Sequence, residues 1–281
     1  MKYSISAHIP YFNNINTLRQ VINCISSQGI QLSEINIYDD GSHADPSSIC
    51  ASTNTRLHQF IKNKGRGFIR NKATTDAKSD FILFCDATNL LSDNFIESAL
   101  HHFDQNQVAA VSGKISNHPS TQNFSSAWRG RHLFKECYNF GPIAQEASSL
   151  TTYGTILRKS AVLDVGNFDP QLTHSEDKEL GYRLLKAGYK IIGDPNLLVY
   201  SIKKENTLSV LERYWRWYGG TDEKFYLQNY WHAIKSSFRP MMQEDIRAND
   251  WKSAFISFLC PHYGFFRHLY RVVFGKIQKP S

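Results

Sequence analysis

The chain has 281 residues, is 41% apolar and holds 18 Phe and 14 Tyr, enough for one large domain or a domain with an appendage. It carries 32 Lys and Arg against 25 Asp and Glu, and the resulting +7 suits an anionic partner: nucleotide phosphates, nucleic acid or an acidic membrane surface. Cys24, Cys50, Cys85, Cys137 and Cys260 are scattered with no C-x-x-C pair, which argues against a zinc site or a disulfide framework and for a reducing compartment.

In chain order, Tyr3 to Ile9 reads as a first strand, closed by Pro10. The N-terminal apolar run is too short for a secretory signal, and no uninterrupted apolar segment approaches the ~20 residues of a spanning helix. Asn13 to Asn16 is turn material. Leu18, Val21, Ile22 and Ile25 mark one face of a helix that stops at Gly29. Ile35 to Tyr38 is a second strand ending in Asp39-Asp40-Gly41-Ser42, and Leu57 to Ile61 reads as a third. A glycine-bearing loop, Asn63 to Gly67, enters a helix that carries Arg70 and runs to about Lys78. Phe81 to Cys85 is a continuous apolar run, as for a strand buried on both faces, and ends at Asp86-Ala87-Thr88-Asn89. Asp93 is placed to cap a helix through Phe103, and Val108 to Val111 is another strand.

From Ser116 to Ser149 the pattern weakens, and Trp128, Arg129, Arg131 and His132 suggest a helix or an irregular insert. Thr151 to Leu157 returns to strand character, with Gly154 permitting close backbone approach. Lys159 to Val165 reads as a short helix. Ser175 is a good N-cap, Glu176 and Asp177 fill a first helical turn, Leu180 and Leu184 give an apolar stripe, and Gly188 is a stop. Ile191-Ile192 and Leu197 to Ser201 read as short strands separated by the Asp194-Pro195-Asn196 turn. Beyond Lys203 the chain reads helical: Leu208, Leu211, Tyr214 and Trp215 lie at helical spacing, ending at Gly219-Gly220. Trp251 to Ser281 contains Lys252, Arg267, Arg271, Lys276 and Lys279, no Asp or Glu, and many Phe, Leu and Val. It reads either as a basic amphipathic region for an anionic membrane surface or as a helical appendage packed on the main domain.

Strands alternating with helices over the first ~110 residues argue for right-handed β-α-β units and a mostly parallel sheet. In such sheets ligands bind beyond the carboxyl ends of the strands. Three polar clusters fall at strand ends or at a helix entry: Asp39-Asp40, the loop from Gly65 to Arg70, and Asp86 to Asn89. Singly, each is ordinary: a turn, a solvated arginine, a capping aspartate.

Together and in order they resemble the family 2 glycosyltransferases of the GT-A fold. Ile9-Pro10-Tyr11-Phe12-Asn13 is similar to that family's opening turn, and Tyr38-Asp39-Asp40-Gly41-Ser42 to its Val-Asp-Asp-Gly-Ser. Asn63-x-Gly65 with Ile69-Arg70-Asn71 resembles its Asn-x-Gly and Ala-Arg-Asn. Asp86-Ala87-Thr88 stands in the place of its Asp-x-Asp, and Gly166-x-Phe168-Asp169 followed by Glu176-Asp177 resembles its later segments. The resemblance covers roughly residues 2 to 220.

The spacing beyond Lys203 gives a helical, basic and aromatic region over 205–281, and the resemblance implies an α/β, GT-A fold with a Rossmann-like, mostly parallel sheet over residues 1–204. It implies inverting transfer of a sugar from a nucleotide-sugar donor, a UDP-sugar first, to a glycan, lipid-linked or protein acceptor. Pro10, Tyr11, Asp39 and Asp40 would meet the nucleotide, Arg70 the base or diphosphate, and Asp86 the ribose or a divalent metal, Mn or Mg. Asp177 would be the general base, with Glu176 and Arg183 supporting it. Thr88 replaces the usual second ligand Asp, and Ser201 or a neighbour stands where the family often has a His ligand. Lys64, Arg66 and Lys203 are candidate substitutes for the metal, and the departures leave open a non-catalytic binding or accessory protein. Acceptor contacts are expected from the middle insert and from the aromatic run Tyr214 to Tyr218. The cysteines point to a cytoplasmic location, the C-terminal region leaves a peripheral place on the inner face of the membrane open, and no nucleic-acid partner is expected.

Overall fold

The computed structural model describes residues 4–53, 55–135, 141–218 and 227–274. The chain divides into two compact units, Met1–Ser116 with Tyr138–Lys203, and Asn117–Cys137 with Lys204–Ser281. The second unit therefore includes residues 117–137 as well as the C-terminal helices.

The first unit begins β1 (Ile5–Tyr11), α1 (Ile15–Ser26), β2 (Ile35–Asp39), α2 (Ser47–Ser52), β3 (Arg56–Gln59), α3 (Arg66–Asp76), β4 (Phe81–Cys85), β5 (Asn89–Leu91), α4 (Phe95–Leu100) and β6 (Val108–Asn117). The chain leaves this unit for α5 (Phe124–Arg129) and returns as β7 (Gln145–Glu146), β8 (Gly154–Arg158), α6 (Lys159–Asp164), α7 (Glu176–Lys186) and β9 (Lys190–Ser201). These strands form a nine-stranded sheet in the order β3-β2-β1-β4-β8-β6-β9-β5, with β7 on β9. The pairs β3-β2, β2-β1 and β1-β4 are parallel, as β-α-β connections require. The sheet turns antiparallel where β8 joins β4 and β6, and where β9 joins β5 and β7. All five residues of β4 are buried, because helices cover both faces. On one face Ile69, Ala73, Phe168, Leu180 and Leu184 pack with Tyr38, Ile82 and Phe84 in a single core. Leu18, Val21, Ile22 and Ile25 are the buried positions of α1, as their spacing dictates.

Several boundaries differ from the sequence expectation. The first strand continues through Pro10 to Tyr11, because proline's fixed φ suits extended chain and costs only one donor. Asp194-Pro195-Asn196 does not interrupt β9; the Asp194 carboxylate accepts from the Asn196 N–H at 2.9 Å and the strand runs on. The helix after Asp93 starts at Phe95, behind Asn94 at φ 56°, and tightens into a 3₁₀ turn at His101–Asp104. Val108 to Val111 is only the first part of β6. The expected start at Tyr3, the Gly219-Gly220 stop, Cys137, Lys276 and Lys279 lie outside the described residues.

The second unit is helical. It joins α5 and the π-turn that follows it (Gly130–Phe134) to α8 (Thr207–Tyr218), α9 (Leu227–Ser236), α10 (Met242–Arg247) and α11 (Trp251–Phe274). Its interior is unusually polar. Arg129, fully buried, binds Glu205 at 3.0 Å, and Asp245 accepts from Arg131, from His132 at 2.8 Å and from Ser257 at 2.5 Å. Pro261 sits inside α11, where it withholds the N–H that would bond the Ser257 carbonyl. That carbonyl accepts from the Ser237 hydroxyl instead. Among the described residues no helix is long and apolar enough to cross a membrane.

Candidate functional site

The polar groups beyond β1, β2 and β4 make separate sets of hydrogen bonds, around Asp39, around Asp40 and around Arg70. Asn13, at φ 54°, donates its N–H to the Ser42 hydroxyl at 2.9 Å and accepts from the His43 N–H at 2.9 Å. The Asp39 carboxylate accepts from the Ser42 N–H at 3.0 Å, closing the turn after β2. Asp40 is buried, and its two oxygens accept from the N–H groups of Lys64 at 2.6 Å and Gly65 at 2.9 Å. Asp40 thus fixes the loop that enters α3. Tyr11 is buried beneath this turn; burial, with Asp39 adding, pushes its hydroxyl above the ordinary tyrosine range.

Glycine is required in that loop for packing. Gly65 has φ 92°, and a Cβ there would stand 2.8 Å from Thr173 Cγ2. At Gly67 a Cβ would run into the carbonyl oxygens of Asp169 and Leu172, and the Gly67 N–H donates to Leu172 at 2.9 Å. The loop is pressed against the segment leading into α7.

Arg70 links α3 to both catalytic-looking ends. It is buried, donates through Nη1 to Glu176 Oε1 and through Nη2 to Asp86 Oδ1 at 3.1 Å, and lies over the Phe84 ring at 5.9 Å. Burial pulls its pKa below the ordinary value; Asp86 opposes that first, and Asp177 also raises it. Arginine stays charged, so Arg70 is a fixed internal cation shared by two carboxylates. Glu176 is itself buried, and its Oε2 has no hydrogen-bond partner among the described residues.

Asp177 is differently placed. It is half-buried, and its Oδ1 accepts from the N–H of Lys178 at 2.8 Å. This bond occupies one of the N–H groups that a cap would take. Ser175 sits at the cap position with φ 61°, but its side chain makes no capping bond, contrary to the sequence expectation. Three acids in the first turn, Glu176, Asp177 and Glu179, face the positive end of the helix dipole. Asp86 keeps 29% of its side chain exposed. Pro10 pairs with Tyr38 across β1 and β2, next to Tyr11 opposite Asp39.

Arg183 is not brought to this cluster. It holds Glu179 through two bonds, of 2.7 and 2.6 Å, and donates to the carbonyls of Val165 and Asn167, the latter at 2.7 Å. It anchors α7 to the turn before it rather than to Glu176 or Asp177. Tyr153 was not singled out by the sequence. Burial pushes its hydroxyl up to about 12, with Asp177 adding to the rise, and its carbonyl accepts from the Asn89 amide at 2.8 Å. Gly154, which does stand out, is needed for another reason: a Cβ there would stand 2.6 Å from Val199 Cγ2.

The positions expected to hold a metal do not assemble a ligand set. Thr88 uses its carbonyl to accept from the Ile202 N–H at 2.9 Å, and buried Ser201 faces Asn89 across β5 and β9. Asp86 is the single carboxylate left there, with one oxygen on Arg70. Among the described residues, no group of three or more His, Cys, Asp or Glu is placed to hold a metal ion. The residues present do not fit a protein-built divalent site, which wants several hard oxygen ligands.

Comparison with known proteins gives a consistent result. The family described as "Glycosyltransferase like family 2" matches residues 5–220. The chain is 26% identical over 201 residues to a pre-mycofactocin glycosyltransferase of Mycobacterium tuberculosis, covering 69% of this chain and 42% of that one. It is 21% identical over 241 residues to a poly-beta-1,6-N-acetyl-D-glucosamine synthase of Staphylococcus aureus, covering 82% and 57%. The chain thus spans about half the length of these curated relatives. Among solved structures, the mannosyltransferase PcManGT from Pyrobaculum calidifontis, in complex with GDP-Man and Mn2+, superposes with a TM-score of 0.65 at 13% identity. That match covers 98% of this chain and 88% of that one, and it is a likeness of fold.

Proposed function

Because the chain belongs to the glycosyltransferase-like family 2, we propose that it moves a sugar from a nucleotide-sugar donor to an acceptor hydroxyl with inversion at the anomeric carbon. The observation that carries this reading is the division of labour in the first turn of α7. Glu176 is buried on Arg70, whereas neighbouring Asp177 stays half-exposed beside the same cation.

In the proposed reaction the nucleotide lies against the β1 and β2 ends, at Pro10, Tyr11, Asp39 and Asp40. Asp40 acts there by holding the loop at residues 64–65. Asp177 takes the proton of the acceptor hydroxyl as its oxygen attacks the anomeric carbon. The bond from that carbon to the diphosphate breaks on the opposite face, and the nucleoside diphosphate leaves. Arg70 and Glu176 position α7 against Asp86 and do not themselves react. Lys64 and Arg66, exposed at the α3 entry, are the cations assigned to the diphosphate charge in this reading. A divalent ion, Mn or Mg, would have Asp86 as its carboxylate ligand, and no step here is routed through one.

The GDP-Man held by the fold neighbour supports a nucleotide-sugar donor, with a UDP-sugar the alternative to a GDP-sugar, and the poly-N-acetylglucosamine synthase name supports an acceptor in polysaccharide or glycoconjugate synthesis. That reading puts the enzyme at the inner face of the membrane, with a lipid-linked or glycan acceptor. The replacement of the metal ligands by Thr88 and Ser201 favours one second reading, a binding or accessory protein that holds the donor without turnover.

Sugar release by the parent chain decides between them, and Asp177→Asn tests the general base. The expected result is nucleotide affinity equal to the parent's and transfer reduced by about 10²- to 10⁴-fold, the range for loss of a general base. Undiminished transfer removes Asp177 from the mechanism. Donor binding with no sugar release by the parent chain on any donor establishes the second reading.

A further inference from the structure

Helix α11 is apolar on two sides. Ala254, Ile256 and Cys260 are buried within the C-terminal unit. Yet Trp251, Phe255, Phe258, Phe266, Leu269 and Val273, spaced by three, four or eight residues, line the opposite face and are 38% to 65% exposed. A helix that served only as packing would put charge there. Beside it Phe238 meets Phe258 edge-on at 5.7 Å, and Trp231 of α9, a helix with no buried residue, is also exposed. A contiguous aromatic face of this kind marks an interaction site.

The charges of the same unit are sorted to match one kind of partner. Among the described residues its carboxylates are held inside or paired: Glu205 by Arg129 and Arg213, Asp245 by Arg131 and His132, Glu212 by Arg267, Asp250 by Arg131 at 3.5 Å, and Glu244 beside His132 at 3.7 Å. The cations Lys235, Arg239, Arg247 and Lys252 are exposed. Residues 227–243 and 251–281, which carry the face, contain no Asp or Glu. A second copy of the chain would bring like charges together around the rings, whereas an anionic surface is attracted.

We propose that this face lies on an anionic lipid bilayer, with α11 in the membrane plane, its aromatic rings at headgroup depth and the exposed cations toward lipid phosphates. Trp and Phe suit that depth, and the helix is of the kind that lies on a membrane rather than crossing it. Docking of this kind is read without any sugar donor, so it stands or falls separately from the transferase reading.

The test is flotation of the full chain with vesicles of phosphatidylcholine, with and without phosphatidylglycerol, together with quenching of tryptophan fluorescence by brominated lipid. The substitutions Trp251→Ser with Phe255→Ser, and separately Lys235→Glu with Arg239→Glu, fall on exposed positions and are checked for an unchanged melting temperature. Ile61→Ser, on a residue 98% exposed in the first unit, serves as control. The expected result is binding to phosphatidylglycerol vesicles, lost by more than about tenfold in each double variant and kept in the control. No binding by the parent chain, or double variants that bind like the parent, overturns the proposal. So does a dimer in solution that the same variants dissociate while vesicle binding stays unchanged.

Discussion

Arg70 is the residue on which the site's geometry depends. Its guanidinium is buried with Glu176 on one side and Asp86 on the other, so a single cation joins α3, the first turn of α7 and the end of β4. Removing it leaves a buried carboxylate without its countercharge, which in comparable pairs costs about 3–5 kcal/mol. Arg70→Ala and Arg70→Lys are therefore both expected to lower the urea midpoint strongly, because lysine cannot span two carboxylates with a planar fork. Glu176→Gln is expected to cost less, since its amide still accepts from Arg70. The effect on turnover would follow from a misplaced Asp177, and Asp177→Asn itself should leave the urea midpoint near the parent's. A parent-like midpoint for Arg70→Ala would show that the bridge is not what holds α7 in place.

At the scale of elements, β1 stores an acid-sensitive group. His8 is fully buried between Tyr38 and Phe84, with ring centroids at 5.7 and 6.0 Å, and its Nε2 pairs with the Ser6 hydroxyl at 2.8 Å. Burial, then His58, lowers its pKa from 6.5 to about 3, with Asp76 opposing and Lys159 adding. Between those values the unfolded chain binds a proton that the folded chain refuses. Stability therefore rises with pH across that window, by up to about 1.4 kcal/mol per pH unit from this group. His8→Asn is expected to flatten the pH dependence of the urea midpoint below pH 6.5 by about one proton. An unchanged slope would mean that His8 is protonated in the folded state.

The same elements show what the sequence tells and what it hides. β2 and β4 are legible because their apolar runs end abruptly in Asp, so each of these strand ends announces a polar cluster; β1 is legible as the run before Pro10, and α7 by Leu180 and Leu184 ahead of Gly188. β5 and β7, of three and two residues, are not, since so short a stretch has no period to read. Partners were hidden too. Arg70 meets Glu176 across 106 residues, and nothing local to either says so. Asp40 was read as a nucleotide contact, and its oxygens bind backbone N–H groups 24 and 25 residues on. Gly65-x-Gly67 was read as a loop entering a helix, and the need for glycine lies in the carbonyls of residues 169 and 172 pressing on it. The family resemblance groups Arg183 with Glu176 and Asp177, yet on the helix it points to Glu179, one turn away.

For the molecule as a whole, the two units divide the chemistry. The sheet unit gathers Asp39, Asp40, Arg70, Asp86 and Asp177 beyond the strand ends, and the helical unit sets cations and aromatic rings outward. The most direct measurement is calorimetric titration of UDP and of GDP into the full chain, each with manganese and with EDTA. The expected result is saturable binding of at least one nucleotide, with an affinity that differs by less than about tenfold between the two buffers, because the described residues do not build a metal site. Binding abolished by EDTA would contradict the reading of the Asp86-Thr88 position. No binding of either nucleotide in either buffer would contradict the proposed donor site itself.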